Sequence, residues 1–278
     1  MSSYEAKKMQ LDKSKFPEET HQLIDLLESS EWPEAVPDFL ICSETEEDKI
    51  ERAMGVVEYM KFDFAGKKIL DYGCGEGHLA MEVANTASTA SCEKSVGFDI
   101  VQSGIHQWEK EDRFLLTTSF DKVKENGPYD FVVLYDVLDH CVQPVDVMSN
   151  IIKVCHKDTK IFVRCHSWMS RHGGHIYRQL NKAWAHLVFT KDELSLMGID
   201  LPFVYKVYTP VRTQSLWFQV FNLHVEKQDI VKTIVEDFFK KPEISARLPL
   251  ARFNNKFPEH QMAQSFNDYF LNTQFAIQ

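Results

Sequence analysis

Apolar and polar positions follow two different patterns along the chain, and the change between them falls near residue 67. Upstream, Leu23, Leu26 and Leu27 fall on one face of a short amphipathic helix, and a second helical run extends from Glu46 to Met60. Downstream, short apolar runs of strand length alternate with helical runs. The pattern predicts an acidic, helical N-terminal cap followed by an α/β core.

The clearest predicted strand is Tyr129–Tyr135, whose continuous apolar residues suit a strand buried on both faces of a parallel sheet. The other predicted core elements are the strands Lys68–Tyr72, Ser95–Ile100, Arg113–Thr117 and Lys160–Cys165 and the helices His78–Ala87 and Val145–Cys155. Such β-α-β alternation predicts a doubly wound, Rossmann-like, mostly parallel sheet. Its ligand is expected beyond the carboxyl ends of the strands.

The second half of the chain is less regular. Residues 166–187 show no clear period and are predicted to form an insertion over the site. Thr190 and Glu193 have the spacing of a capping box, which predicts the start of a helix. Further runs are strand-like at Phe203–Tyr208 and Leu216–Val225 and helix-like at Ile230–Lys240. The predicted domains are a cap (1–62), a core with the insertion (63–228) and a C-terminal extension that packs on the core (229–278).

Composition narrows the class of protein. The formal net charge is −10 and no long Lys/Arg block occurs, which disfavours large nucleic acid substrates. No apolar run is long enough to cross a bilayer. The six cysteines are scattered along the chain, which is typical of reduced thiols. We therefore expect a soluble, cytoplasmic protein. The sequence gives no signal for its oligomeric state.

A glycine-rich turn follows the first predicted strand, with glycines at 73, 75 and 77. Glycines at such a turn let backbone N–H groups approach a ligand, because no Cβ intervenes. Asp71 at the strand tip would repel a pyrophosphate but attract a cation, and S-adenosylmethionine (SAM) carries an ammonium and a sulfonium without a phosphate. An NAD site stays open, because Gly75, Gly77 and Ala80 also satisfy G-x-G-x-x-A.

Three segments, Ile69–Gly77, Gly97–Ile100 and Tyr129–His140, resemble in order and spacing the motifs of class I SAM-dependent methyltransferases. The similarity is to the branch that contains the ubiquinone-biosynthesis enzymes. It covers about residues 60–225, a range that includes His186–Thr190 with Glu193–Leu194. The resemblance implies the class I methyltransferase fold, with SAM as the cofactor.

The same resemblance implies roles for individual residues. Asp99 would accept hydrogen bonds from both ribose hydroxyls, which suits a carboxylate with two acceptor oxygens. Ile100 would pack on the adenine, and Ser119 or Asp121 would reach its amino group. The backbone carbonyl of Asp136 would accept a hydrogen bond from the SAM ammonium. The methionine part would lie on Asp71, Gly73, Gly75 and Gly77.

Methyl transfer needs no enzyme nucleophile, so the catalytic question is whether a general base is used. His140 and His166 are the best candidates, because each directly follows a predicted strand. We expect no metal, since a set drawn from Cys165, His166, His172 and His175 fits no standard zinc pattern.

The sequence therefore predicts SAM-dependent methyl transfer to an oxygen, nitrogen or carbon atom of a small or medium-sized acceptor. Two alternatives stay open at this point. The first is a SAM-binding protein without transferase activity that acts as a sensor or partner subunit. The second is an NAD-dependent oxidoreductase.

Overall fold

A seven-stranded sheet is the largest element in the part of the chain that the computed structural model describes. The described residues are 10–37, 44–85, 92–101, 113–141, 143–164, 170–202, 221, 223–230, 236–247 and 271–277. The chain divides into two compact units. The cap unit, as we call it, comprises Met1–Ser43, His166–Pro210 and Val231–Tyr269, and the sheet unit comprises Glu44–Cys165, Val211–Ile230 and Phe270–Gln278.

The sheet has the strand order β3-β2-β1-β4-β5-β7-β6. Its strands are β1 (Lys68–Tyr72), β2 (Lys94–Phe98), β3 (Phe114–Thr117), β4 (Tyr129–Tyr135), β5 (Cys155–Arg164), β6 (Leu223–Ile230) and β7 (Leu271–Ile277). The first five pair in parallel, whereas β7 runs antiparallel to both β5 and β6. The predicted doubly wound, mostly parallel sheet is confirmed.

Nine α-helices lie within the described residues. They are α1 (His21–Glu28), α2 (Glu46–Met60), α3 (His78–Asn85), α4 (Phe120–Asn126), α5 (Pro144–Ile152), α6 (Ala185–Val188), α7 (Lys191–Leu196), α8 (Glu236–Lys240) and α9 (Pro242–Ser245). Among these residues, no helix has the length and apolar composition needed to span a bilayer.

The centre of the sheet is apolar on both faces. Leu70 of β1 and Val132 and Leu134 of β4 belong to one buried cluster, whereas Ile69 and Val133 belong to another. Each fully buried aliphatic side chain of this kind contributes about 1.5–3 kcal/mol. Burial on both faces explains why β1 and β4 appear in the sequence as uninterrupted apolar runs.

Several predicted boundaries are confirmed. Strands form at Lys68–Tyr72 and Tyr129–Tyr135, and a helix forms at Glu46–Met60, as predicted. The capping box at Thr190 is also present, with both of its reciprocal hydrogen bonds. The predicted start of the fifth strand at Lys160 is wrong. That strand begins at Cys155, which pairs with Tyr129 before a β-bulge shifts the register.

Two predicted helices also need correction. The helix predicted to reach Cys155 ends at Ile152, and Cys155 belongs to β5. Ile230, the first residue of a run predicted as helix, is the last residue of β6, whereas Glu236–Lys240 of the same run form α8. The strand predicted at Phe203–Tyr208 lies outside the described residues.

The cap unit has an aromatic core of its own. The ring of Trp32 stacks on Phe189 at 5.8 Å and meets the edge of Phe238 at 5.1 Å. Its indole N–H donates to the carbonyl of Ala183 at 2.8 Å. These contacts join parts of the chain that are far apart in sequence. The predicted domain boundaries at 62 and 228 stay predictions.

A polar network within the cap unit also links the three described segments 10–37, 170–202 and 236–247. Arg247 donates to Glu193 Oε1 at 2.7 Å and to the hydroxyl of Thr20 at 2.8 Å. The other carboxylate oxygen of Glu193 accepts the backbone N–H of Thr190 at 2.8 Å. Burial acts to raise the pKa of Glu193, but the hydrogen bonds from Thr190 and Arg247 outweigh it and lower that pKa.

We expect Arg247→Met to reduce the free energy of unfolding by about 1–3 kcal/mol, because buried Glu193 would lose a charged hydrogen bond. Urea denaturation measures the change, which should shrink as the pH falls through the lowered pKa of Glu193. Lys240→Met is the matched control, because its partner Asp237 is exposed, and it should cost less than about 0.5 kcal/mol. Equal effects of the two substitutions would contradict this assignment.

Candidate functional site

The turn after β1 is held against the end of β2 by backbone hydrogen bonds. The N–H groups of Gly73 and Cys74 both donate to the carbonyl of Phe98, at 2.7 and 3.0 Å. Gly73 has a φ of +79°, and a Cβ there would lie 2.5 Å from Val137 Cγ2. Glycine is therefore required at position 73 both for the backbone conformation and for the close approach of Val137.

Asp99 directly follows β2 and faces this turn. Its Oδ2 accepts the N–H of Gly75 at 2.8 Å, and its Oδ1 accepts the N–H of Val101 at 3.1 Å. A carboxylate has about four lone-pair sites, so both oxygens retain acceptor capacity. The structure therefore gives Asp99 a role in holding the turn and leaves it able to bind a diol.

Asp71 is buried at the end of β1, with 3% of its surface exposed. Its Oδ2 has no hydrogen-bond partner among the described residues. Burial raises the pKa of Asp71 to about 7; the N–H of Ala80 opposes this shift, and the charge of Asp99 adds to it. A buried carboxylate with an unpartnered oxygen is costly unless a ligand supplies a donor or a positive charge.

A cleft of about 390 Å³ opens beside Asp71, within the range of roughly 300–1,000 Å³ that is typical of small-ligand sites. It lies at the junction of β1 and β4, the point where the strand order reverses and where such sheets bind ligands. The lining residues from the sheet and its turns are Asp71, Gly73, Cys74, Gly75, Glu76, His78, Leu79, Tyr135 and Asp136.

The helix α2 and the residue before its cap form the other wall, with Glu44, Lys49, Arg52, Ala53 and Val56. Lys49 pairs with Glu76 of the glycine turn, and Arg52 pairs with Glu44. Sequence reasoning predicted this helix but missed its place in the site. The capping box formed by Thr45 and Asp48 marks where the helix starts but does not indicate what it packs against.

Glu46 of α2 also contacts the start of α3, where its Oε1 lies 2.6 Å from Nε2 of His78. Ligand atoms of Glu46, Glu76 and His78 lie within 4.8 Å of one another, a spacing that a metal ion could use. However, the ammonium of Lys49 pairs with both glutamates and already supplies positive charge there. These residues therefore form a network of ion pairs and hydrogen bonds between α2 and the glycine turn.

Asp136 follows β4 and has a left-handed backbone conformation, with a φ of +55°. Its Oδ2 accepts a hydrogen bond from Arg164 at 3.1 Å, and its N–H donates to the carbonyl of Arg164 at 2.8 Å. Burial and the nearby charge of Asp139 raise the pKa of Asp136, which Arg52 opposes. This wall of the cleft thus carries a second carboxylate.

Two predicted adenine contacts have different surroundings. Ile100 is 83% exposed beside Asp99 and is free to cover a flat ring. Ser119 is the N-cap of α4, where its Oγ accepts the N–H of Lys122 at 3.5 Å. That capping role was missed from the sequence. The proposed adenine contacts of both residues stay predictions.

Of the two candidate bases, His140 and His166, the structure describes His140. His140 lies in the turn after β4, half exposed, with Nε2 at 3.9 Å from Asp139 Oδ2. Its backbone N–H donates to the carbonyl of Val137 at 2.9 Å, which fixes the position of the residue. His166 and Cys165 lie outside the described residues.

Sequence comparison finds curated relatives of modest similarity. The chain is 31% identical over 88 residues to a ubiquinone biosynthesis O-methyltransferase of Vibrio parahaemolyticus, which is 31% of this chain and 37% of the relative. It is 31% identical over 94 residues to the enzyme of the same name from Escherichia coli, 32% of this chain and 37% of the relative. The matched region thus spans little more than a third of each relative.

Two solved structures are similar to this one at low sequence identity. A plantazolicin methyltransferase, BpumL, in complex with a pentazolic desmethylPZN analog and S-adenosylhomocysteine (SAH) has a TM-score of 0.48 and 12% identity, over 84% of this chain and 87% of that one. A SAM-dependent methyltransferase from Archaeoglobus fulgidus has a TM-score of 0.47 and 12% identity, over 82% of this chain and 94% of that one.

A family model described as a methyltransferase domain matches residues 41–199, more than half of the chain. The match includes α2, the glycine turn, the ends of β2 and β4, and the capping box at Thr190. Of these segments, α2, the glycine turn and the end of β4 line the cleft, and the end of β2 holds the turn. The chain belongs to the methyltransferase-domain family of class I SAM-dependent methyltransferases.

Proposed function

We propose that this protein transfers the methyl group of SAM to an oxygen, nitrogen or carbon atom of a small or medium-sized acceptor. The observation that carries the proposal is the unpartnered Oδ2 of buried Asp71 at the cleft. SAM brings an ammonium and a sulfonium, which would supply the missing donor and positive charge. A dinucleotide would instead bring a pyrophosphate to a wall that already holds Asp71, Asp136 and Glu76.

The charge on Asp71 generates a test in the ligand-free protein. Between about pH 4 and 7, Asp71 is protonated in the folded state but ionised in the unfolded state. The free energy of unfolding therefore falls as the pH rises through this window. Asp71→Asn should therefore stabilise the ligand-free protein at pH 8 by on the order of 1–3 kcal/mol and have little effect near pH 4. Denaturation at the two pH values measures this difference.

The same variant should bind SAH far more weakly than the parent, because the ammonium loses its charged acceptor. Greater stability together with lost binding would separate a ligand-binding carboxylate from a structural one. A variant that is less stable at pH 8 and still binds SAH would contradict the proposed role of Asp71.

The adenosine part of SAM fits the residues after β2. Asp99 has lone pairs for the two ribose hydroxyls, and exposed Ile100 offers an apolar surface for the adenine. We expect Asp99→Ala to weaken SAH binding by about 1.5–3 kcal/mol, the cost of losing hydrogen bonds to a charged acceptor. Calorimetry on the folded variant measures it.

Asp99→Asn is the control for the turn, because its side-chain oxygen can still accept the N–H of Gly75. It should bind SAH more tightly than Asp99→Ala. NADH should not raise the melting temperature of the parent protein, whereas SAM and SAH should. Tight binding of NADH without binding of SAM would overturn the proposal.

The amino acid part of SAM also carries a carboxylate, for which α2 offers Arg52 and Lys49 at the cleft. Lys49 pairs with Glu76 and so holds the glycine turn, whereas Arg52 pairs with Glu44 just before its own helix, so we assign the carboxylate to Arg52. Arg52→Gln should weaken SAH binding about tenfold or more and should not change binding of 5′-methylthioadenosine, which lacks the amino acid part.

Exposed Lys153 provides the charge-matched control, since Lys153→Gln removes one positive charge from the same unit outside the cleft. It should change neither affinity. Equal losses of affinity for both ligands in Arg52→Gln would show a general disturbance of the cleft rather than a contact to the carboxylate.

When bound, SAM supplies an activated methyl group on a sulfonium. The acceptor would take this methyl group with its own lone pair as the carbon–sulfur bond breaks, so no group of the protein would need to bond to carbon. The protein's task is to orient the two partners and exclude water. His140, fixed by its backbone after β4, is the proposed base for an acceptor that must lose a proton, with His166 as the second choice.

Turnover separates this proposal from a SAM-binding protein without activity. Mass spectrometry of compounds that co-purify with the full chain would identify cofactor and acceptor candidates. Incubation with isotopically labelled SAM would then show whether label moves to the acceptor. Binding of SAM without transfer to any co-purified compound would favour the sensor or partner role.

A further inference from the structure

The cap unit contains a second cleft, of about 550 Å³, which shares no lining residue with the cleft beside Asp71. We call it the Arg171 cleft. Pro33 and Pro37 contribute apolar surface to its lining, behind which Trp32 is buried with 1% of its surface exposed. Two cationic side chains, Arg171 and Lys182, line it together with one carboxylate, Glu34. Its volume falls within the range typical of small-ligand sites.

The walls of the Arg171 cleft are held by hydrogen bonds. The amide side chain of Asn181 accepts the N–H groups of Ala35 and Val36 at 3.1 and 3.0 Å and donates to the carbonyl of Val36 at 2.9 Å. The N–H of Ala183 donates to the carbonyl of Pro33 at 2.8 Å. The cleft is therefore preorganised, which lowers the entropic cost of binding.

Both cations are partly withdrawn from solvent. Lys182 Nζ donates to the carbonyl of Ser29 at 3.0 Å, and burial lowers the pKa of Lys182, which the charge of Glu34 opposes. The guanidinium of Arg171 lies over the ring of Trp184 at 5.8 Å from its centroid. Two cationic side chains against one carboxylate give the lining a net positive charge, which suits an anion.

We propose that the Arg171 cleft binds the anionic group of a small organic molecule, with Arg171 and Lys182 as its cationic partners and the surface of Pro33 and Pro37 against its apolar body. The anionic group is a carboxylate or a phosphate, since both offer oxygens to paired cations. This site is independent of the proposed methyl transfer.

Calorimetry on the full chain tests the proposal with benzoate, phenyl phosphate and the neutral benzamide as probes. We expect at least one of the two anions to bind and benzamide not to bind at the same concentrations. Comparison of benzoate with phenyl phosphate distinguishes the carboxylate from the phosphate. If neither anion binds, or if benzamide binds as well as they do, the proposal is wrong.

Lys182→Met and Arg171→Gln should each weaken binding of the preferred anion about tenfold or more. Lys240→Met is the matched control, because it removes a positive charge from the same unit outside the cleft, and it should leave the affinity unchanged. Melting temperature and SAH affinity report whether each variant is folded. Unchanged affinity in a folded Lys182→Met or Arg171→Gln variant would overturn the site.

Discussion

Two hydrogen bonds to a single acceptor, the carbonyl oxygen of Phe98, hold the glycine turn that lines the cleft beside Asp71. They hold the backbone of Gly73 and Cys74 against the end of β2, while parallel pairing sets Asp71 opposite Gly97. Because β1 and β2 run in the same direction, the acids at and just beyond their ends share one edge of the sheet. A side chain at position 73 would clash with Val137, which lies just beyond the end of β4.

Much of the sheet could be predicted because its signals are local. A continuous apolar run specifies a strand buried on both faces, as for Tyr129–Tyr135. The early start of β5 could not be predicted, because it depends on contacts with β4. The hydroxyl of Thr159 donates to the carbonyl of Tyr129 at 2.6 Å and accepts the N–H of His156, which extends pairing past the bulge.

The same distinction holds for the site. The glycines and Asp71 could be predicted because strand end and turn are adjacent in sequence. Lys49 and Arg52 could not, since charged residues on an amphipathic helix usually indicate a solvated face. Only the fold brings Lys49 to Glu76 and turns part of α2 into a wall of the cleft. The sequence also could not reveal that Ser119 caps a short helix, because seven residues leave little periodicity.

The two units are interleaved along the chain, and this has a consequence for how the protein is made. The Glu193 network needs residues from near position 20 and from position 247, and β7 at Leu271–Ile277 is inserted between β5 and β6. When the ribosome has synthesised only the three motif segments, which end at His140, neither unit of the emerging chain is complete. Both units must wait for contacts between distant segments, a topology that slows folding and prolongs the exposure of apolar strands to chaperones and to aggregation.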